Sequence, residues 1–458
     1  MAEESEKNSP IDASKLLEKA KEPVRKGIPW HRHFQGKIEI ISKCSISSFS
    51  DFAVYYTPGV AQPCLAIKED ISEVNELTNR WNTVAVASNG TRVLGLGNIG
   101  PYAGLPVMEG KGLLFKYLGG VDAQPLMIDT EDPDKFIETV KLVEPTFGGI
   151  NLEDIKVPDC FYILERLRKE MDIPVWHDDQ QGTASITLAG TINALKVVGK
   201  KIDEAKFAVN GVGAANIAYL RVLTKYGVPR RNITLVDSKG ILHHGREDLA
   251  RMKEINPWKY DFASTTNPDG LTGGIKEAMK GADVLVAASR PGPGIIKKDW
   301  VRDMNDDAIV FPVANPVPEI WPWEAKEAGA RIVGTGRSDF PNQINNSIGF
   351  PGIFRGTLDV RATTITDEMA IAAADAIAET AVEKGIHEDY IVPTMDDWEV
   401  FIKEAEYVGR KAIEQGIARR KLSTQEIRDR AREIIEQSRN KTRALMDRGL
   451  IPPTPKAI

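Results

Sequence analysis

The sequence predicts an α/β protein with two parallel-sheet domains and a helical C-terminal tail. Three observations point there. Between 82 and 198, and again between 206 and 336, short β-branched runs alternate with helix-length segments, and residues 396–448 are charged and amphipathic. A length of 458 residues suits two or three domains. The expected divisions are an N-terminal arm over 1–30, a first domain over 31–185, a second over 186–390 and a helical extension over 391–458. With 42% hydrophobic and 27% charged residues, the chain can bury a substantial core and is neither disordered nor fibrous. Its net charge of −6, relieved only by a short ARRK run at 418–421, argues against nucleic acid as a partner. No apolar run reaches the roughly 18 residues of a membrane span, and no apolar stretch follows the first charges, so a cytoplasmic protein without a membrane partner is expected. Cys44, Cys64 and Cys160 lie far apart without a CxxC pair and are expected to be buried thiols.

Taken in order, the arm is polar and proline-containing, with one helix expected around Ala13–Lys21. NTVAVAS (82–88) and RVLGLG (92–97) read as two short strands around Asn89-Gly90, a hairpin or tight turn. QPLMID (124–129), GGI (148–150) and IPVWHD (173–178) then read as strands separated by helices over 133–144 and 158–170, with a buried helix over 183–198. In the second block, KFAVNG (206–211), NITLVD (232–237), ADVLVAAS (282–289), DAIVFPVAN (307–315) and ARIVGTG (330–336) give five strands in one direction, a doubly wound sheet. The Ala-rich segment 366–382 is helical, and the final helices are expected to pack on the first domain or to form a subunit interface.

The first strand of the second block ends in Asn210-Gly211-Val212-Gly213 and leads into a helix that opens with Ala214 and Ala215. Glycines there let backbone approach a pyrophosphate, and the helix N-terminus favours its charge, so a Rossmann-type site for NAD or NADP is expected. The third position of the GxGxxG pattern is Asn216. The next strand ends at Asp237, 26 residues after Gly211, where a carboxylate can accept from ribose hydroxyls and favours NAD; Ser238, Lys239 and Arg246 could accommodate NADP. A βα turn with no phosphate is the alternative reading of the local motif.

In the first block, Glu153-Asp154 and Asp178-Asp179 each follow a strand, so parallel pairing would gather four carboxylates at one sheet edge. Such a group repels itself unless a cation neutralises it, and an all-oxygen set suits Mg²⁺ or Mn²⁺. Helix capping is the competing explanation for each pair. Lys111, in MEGKG, is a base if desolvated beside carboxylates and otherwise a solvated surface lysine. GLGNIG (95–100) reads as a substrate-side loop, because Pro101 follows it and no long helix is expected there. Tyr55 and Tyr56 precede Thr57-Pro58-Gly59, where packing is the usual role of a tyrosine.

The motifs YYTPGV (55–60), RVLGLGNIGP (92–101), LPVMEGKGLLFK (105–116), PTFGGINLEDI (145–155), PVWHDDQQGTA (174–184), ANPVPEI (314–320), TGRSDFPNQINN (335–346) and FPGIFRGTLDVRA (350–362) resemble the malic enzyme family, in its short prokaryotic form. The resemblance implies an NAD(P)-dependent, oxaloacetate-decarboxylating malate dehydrogenase that turns (S)-malate into pyruvate and CO₂ as a homodimer. It places the metal ligands at Glu153, Asp154 and Asp179, the catalytic lysine at Lys111 with Asp178 as its partner, and the catalytic tyrosine at Tyr56. It also implies substrate contacts from Arg92, Asn315 and Asn346, with Asn315 near the cofactor as well. Asn216, and Gln181 where bacterial relatives often carry His, depart from the family pattern. Two other activities fit the same motifs: a malolactic or oxaloacetate decarboxylase, and a nucleotide-sensing regulator without catalysis.

Overall fold

The structure, a computed structural model, describes residues 13–455. The first twelve residues of the expected arm lie outside the described residues. The expected short helix at the start is instead a 22-residue helix, Ala13–Phe34, with Pro23 and Pro29 inside it.

Four parallel strands form the first sheet: β1 (Thr83–Ser88), β2 (Asp122–Met127), β3 (Gly149–Leu152) and β4 (Val175–His177), in the order β2-β1-β3-β4. β1, with the sequence TVAVAS, is buried along its whole length between two neighbours, as a central parallel strand must be. Each valine so buried contributes about 1.5–3 kcal/mol. The expected hairpin is absent, because 92–97 is a loop and not a strand. Leu94 and Gly97 both have positive φ, which no regular strand tolerates, and only a single bridge joins Val93 to Gly97. The expectation that no long helix follows GLGNIG is also overturned: Gly100–Gly119 is helical over 20 residues. Pro101 occupies its first turn, where the missing N–H has no partner to lose. Lys111 therefore sits inside this helix.

The second sheet has β5 (Phe207–Asn210), β6 (Ile233–Asp237), β7 (Gly240–Ile241), β8 (Val284–Ala287), β9 (Ile309–Pro312) and β10 (Ile332–Val333), in the order β10-β9-β8-β5-β6-β7. The five expected strands are parallel, and β7 adds a short antiparallel edge beside β6. From β5 the chain turns to β6 on one side and later to β8 on the other, so the switch point at which open α/β sheets receive ligands lies at the carboxyl ends of β5 and β8. The helix Thr183–Val197, with twelve buried residues, packs between the helices Ala214–Tyr226 and Asp367–Lys384 and links the two sheets. Cys160 is buried as expected, but Cys44 and Cys64 are exposed.

The C-terminal helices return to the first sheet. Thr424–Asp447 lies on the helix Gly100–Gly119, with Ser438 Oγ donating to Lys116 O at 2.7 Å. Beneath it, fully buried Arg355 binds Asp359 through Nε (3.0 Å) and Nη2 (2.9 Å), and its Nη1 donates to Asn82 Oδ1 at 2.6 Å. Arg430 reaches the same carboxylate at 2.7 Å. This network ties the start of the first sheet to the helices Phe350–Asp359 and Thr424–Asp447. Replacing Arg355 by Ala is expected to cost about 3–5 kcal/mol, since it removes one partner of a buried ion pair. Urea unfolding checks this, and a loss within about 0.5 kcal/mol, as at an ordinary surface position, would contradict it.

Candidate active site

At the carboxyl edge of the first sheet, β3 delivers Glu153 and Asp154, and β4 delivers Asp178 and Asp179. Residues 178–182 form a single π-helical turn in which Thr183 N–H reaches Asp178 O, a geometry that recurs at functional sites. The turn is packed tightly. A side chain at Gly182 would place its Cβ 1.9 Å from Asp178 Oδ1 and 3.2 Å from Asn346 Cβ. Asn346 thus lies beside the acidic turn, at the start of the short helical turn Asn346–Ile348.

Lys111 is buried among these acids. Its Nζ contacts Asp178 Oδ2 in a short ion pair, lies 3.2 Å from Glu153 Oε1 and stands 4.5 Å from the centre of the Phe350 ring. Trp176 Nε1 donates to Asp178 Oδ1 at 3.2 Å, and Asn151 Nδ2 donates to Glu153 Oε2 at 3.0 Å. Burial would drive the lysine toward neutrality, but the Asp178 and Glu153 carboxylates together outweigh it and hold Lys111 above its ordinary value.

Glu153, Asp154 and Asp179 each offer an oxygen within 4.8 Å of the others. Burial, and then the repulsion between them, pushes the Glu153 and Asp154 carboxyls well above the usual range; burial raises Asp179 as well. Asp154 adopts a φ of +54°, its N–H donates to Asp179 Oδ2 at 2.8 Å, and its own Oδ2 is buried without a partner. Three converging carboxylates, one with an orphaned oxygen, fit a hard divalent cation bound through oxygen. Arg92 is exposed at the rim, with its N–H on Asp154 O at 3.0 Å and its charge lowering Asp154 and Asp179.

The crevice of the second sheet holds the other expected residues. Gly211 and Gly213 form the turn between β5 and the helix that starts at Ala214 and Ala215. Asn216, which breaks the glycine pattern, is buried and donates to Asn210 O (3.0 Å) and Gly211 O (2.8 Å), so its amide stitches the turn together. Asp237, at the end of β6, is already engaged: Arg246 Nη1 reaches Oδ1 at 2.9 Å, Lys259 Nζ reaches Oδ2 at 2.5 Å, and Lys239 N donates to Oδ1 at 2.8 Å. Lys259 was not visible as a partner from sequence, since it comes from a separate helix, Pro257–Thr265. Ser238 follows Asp237 in the turn to β7.

The two sheets face each other across Gly95. A Cβ there would lie 2.6 Å from Pro291 and 2.9 Å from Asn315 O, so the loop 92–99 meets the loops after β8 and β9. Asn315 is half-buried at this junction. Tyr56 is not brought to the acidic cluster. It is 71% exposed, and the helices around it, Asp51–Tyr55 and Ala61–Glu69, bury no side chain.

Residues 35–168 match the family model of the malic enzyme N-terminal domain, and residues 180–413 match that of the malic enzyme NAD-binding domain. The chain belongs to the malic enzyme family. A bifunctional malic/malolactic enzyme of Bacillus subtilis is 50% identical over 404 residues, spanning 88% of this chain and 96% of that one. An NAD-dependent malic enzyme of Geobacillus stearothermophilus is 49% identical over 388 residues, spanning 85% and 79%. Among solved structures, a malic enzyme of Entamoeba histolytica is 47% identical with a TM-score of 0.93, covering 96% of this chain and 92% of that one. As in the family, the second domain binds a nicotinamide cofactor. No helix among the described residues is long and apolar enough to cross a membrane.

The acidic cluster makes a direct prediction. Mn²⁺ is expected to bind one site per chain by calorimetry, and Asp179→Asn to weaken it by at least about tenfold, as loss of one charged ligand should. Unchanged Mn²⁺ affinity in the variant would remove Asp179 from the ligand set.

Proposed function

We propose that this protein oxidatively decarboxylates (S)-malate to pyruvate and CO₂ while reducing NAD⁺ or NADP⁺, and that it also decarboxylates oxaloacetate. The observation that carries the reading is the buried Lys111, in contact with Asp178 and Glu153 on the edge of the first sheet that faces the loops of the nucleotide domain. Glu153, Asp154 and Asp179 would hold Mg²⁺ or Mn²⁺. When bound, such an ion would supply Lewis acidity that makes the substrate hydroxyl easier to deprotonate. The nicotinamide supplies the hydride acceptor for C2.

The chain's own groups do the proton work. Neutralising the three ligand carboxylates removes the pull of Glu153 and Asp179 on Lys111 and leaves burial, which favours the neutral amine, opposed by Asp178 alone. Lys111 Nζ takes the C2 hydroxyl proton, and Asp178, fixed by Trp176, steadies the resulting ammonium. Arg92, Asn315 and Asn346 bind and orient the substrate carboxylates and the C2 oxygen. After CO₂ leaves, the Tyr56 hydroxyl returns a proton to C3, giving pyruvate.

For Tyr56 to do so it must reach a site it does not touch within its own chain. In the same stretch of chain, Ile40, Phe49, Val54 and Tyr55 are exposed apolar side chains, 88% and 92% exposed for the first two, the kind of surface that marks an association site. The protein is accordingly a homodimer in which this segment packs on the second copy and brings Tyr56 to that copy's Lys111.

The adenosine end admits both cofactors. Gly211, Gly213, Ala214 and Ala215 cradle the pyrophosphate at the helix N-terminus. With Asp237 held by Arg246 and Lys259, and Lys239 close by on Asp248, three cations face two carboxylates, leaving room for the 2′-phosphate of NADP beside Ser238. A malolactic outcome, with the hydride returned to pyruvate to give lactate, is the second reading, favoured by the name of the Bacillus subtilis relative.

Lys111→Ala is expected to bind malate normally and to lose about 10²–10⁴ in turnover, the usual share of a general base. A variant within a few-fold of wild type would sink the assignment. Tyr56→Phe and Lys111→Ala, each inactive alone, are expected to recover about a quarter of wild-type activity when mixed in equal amounts and reassociated, since about half of the dimers are then mixed and each of these holds one intact site of two. No recovery on mixing would place Tyr56 in its own chain's site.

A further inference from the structure

The loops that meet Gly95 are held by a residue so far without a role. Glu319 is fully buried in the segment that follows Asn315. One of its oxygens accepts from Ser289 N (2.9 Å) and Ser289 Oγ (3.2 Å), and the other accepts from Ala314 N (3.2 Å). Ser289 Oγ is also the acceptor for Asn210 Nδ2 at 3.2 Å. Asn210, Ser289 and Ala314 stand at or just beyond the carboxyl ends of β5, β8 and β9, so one carboxylate joins the three central strand ends of the second sheet. Backbone bonds of the same segment reinforce this: Gly292 N donates to Val317 O at 3.2 Å and Ile296 N to Glu319 O at 3.1 Å.

The place matters more than the bonds. The switch between β5 and β8 is where an open α/β sheet receives its ligand, and the outer sides of the clamped loops are Pro291, Asn315 and Pro316, which meet the substrate-side loop at Gly95. A buried carboxylate accepting three donors is a costly device for fixing loop shape, because each donor is left unsatisfied if the acceptor goes.

We infer that Glu319 is a positioning residue for the nicotinamide half of the cofactor, setting the loops at Ser289 and Ala314 so that the ring lies over the acidic cluster. The inference rests on the nicotinamide-dependent reading above. It separates the two halves of the cofactor by how directly Glu319 reaches them: the loops at Ser289 and Ala314 are bonded to its carboxylate, the pyrophosphate turn at Gly211 is linked to it only through Asn210 and Ser289, and Asp237 is held by Arg246 and Lys259 instead.

Calorimetry on the whole protein with NAD⁺, NADP⁺ and ADP tests it. In Glu319→Gln the amide can accept at one end only and turns a donor against the other N–H. The variant is expected to bind NAD⁺ and NADP⁺ about tenfold more weakly, the cost of one lost buried hydrogen bond, with ADP affinity held within about twofold. Equal dinucleotide affinity in variant and wild type would overturn the inference, and so would an equal loss for ADP, which would mean a general structural role. Should Glu319→Gln fail to fold, Ser289→Ala, which removes one donor, is expected to weaken NADP⁺ but not ADP by about threefold; unchanged NADP⁺ binding there would also overturn it. A wild type that binds ADP but neither dinucleotide would overturn the inference and the reading beneath it. Dinucleotide binding with no loss in either variant defeats the inference alone.

Discussion

Everything at the catalytic edge follows from placing four carboxylates and one lysine where water cannot screen them. Glu153, Asp154, Asp178 and Asp179 crowd the ends of two adjacent strands, and Lys111 is the one cation buried with them among the described residues. One ammonium cannot balance four negative charges in a medium of low dielectric. The arrangement therefore holds protons or a divalent ion, and either choice sets the charge of Lys111. Metal affinity and the basicity of the lysine are two aspects of a single electrostatic balance.

That balance needs a rigid frame. β1 and β3 are buried along their whole lengths, the π-helical turn leaves no space for a side chain at Gly182, and the C-terminal helices brace the helix that carries Lys111. The same helices, through Arg430, Asp359 and Arg355, reach Asn82 just ahead of β1. The far wall of the site is built differently, from loops of the nucleotide domain held by buried side chain to backbone bonds. Asn216 and Glu319 both do this work at ends of the second sheet.

Much of this was readable from sequence because it depends on short-range pattern. Runs such as TVAVAS and FAVN are β-branched and apolar, and their parallel order followed from the helices between them. The placement of the four acids together followed from strand order alone. The errors have physical causes. RVLGLG has the composition of a strand, but positive φ at Leu94 and Gly97 makes it a loop. The helix Gly100–Gly119 carries five glycines and two prolines, so local propensity hid it; it forms because one face packs on β2 and on the C-terminal helix. Nothing local links Lys259 to Asp237 or Glu319 to Ser289, which lie 22 and 30 residues away in sequence. Tyr56 is marked by the family motif alone, and no periodicity shows that the helices on either side of it bury no side chain among the described residues.

A single site that couples hydride transfer from malate to loss of its β-carboxyl group must release both products together. Reduced nicotinamide and pyruvate, followed in the same reaction with (S)-malate and Mn²⁺ and again with the ion chelated, test this. The two products are expected in equal amounts, and neither after chelation. Lactate or pyruvate without net reduction of the cofactor, or turnover that persists without the ion, would contradict it.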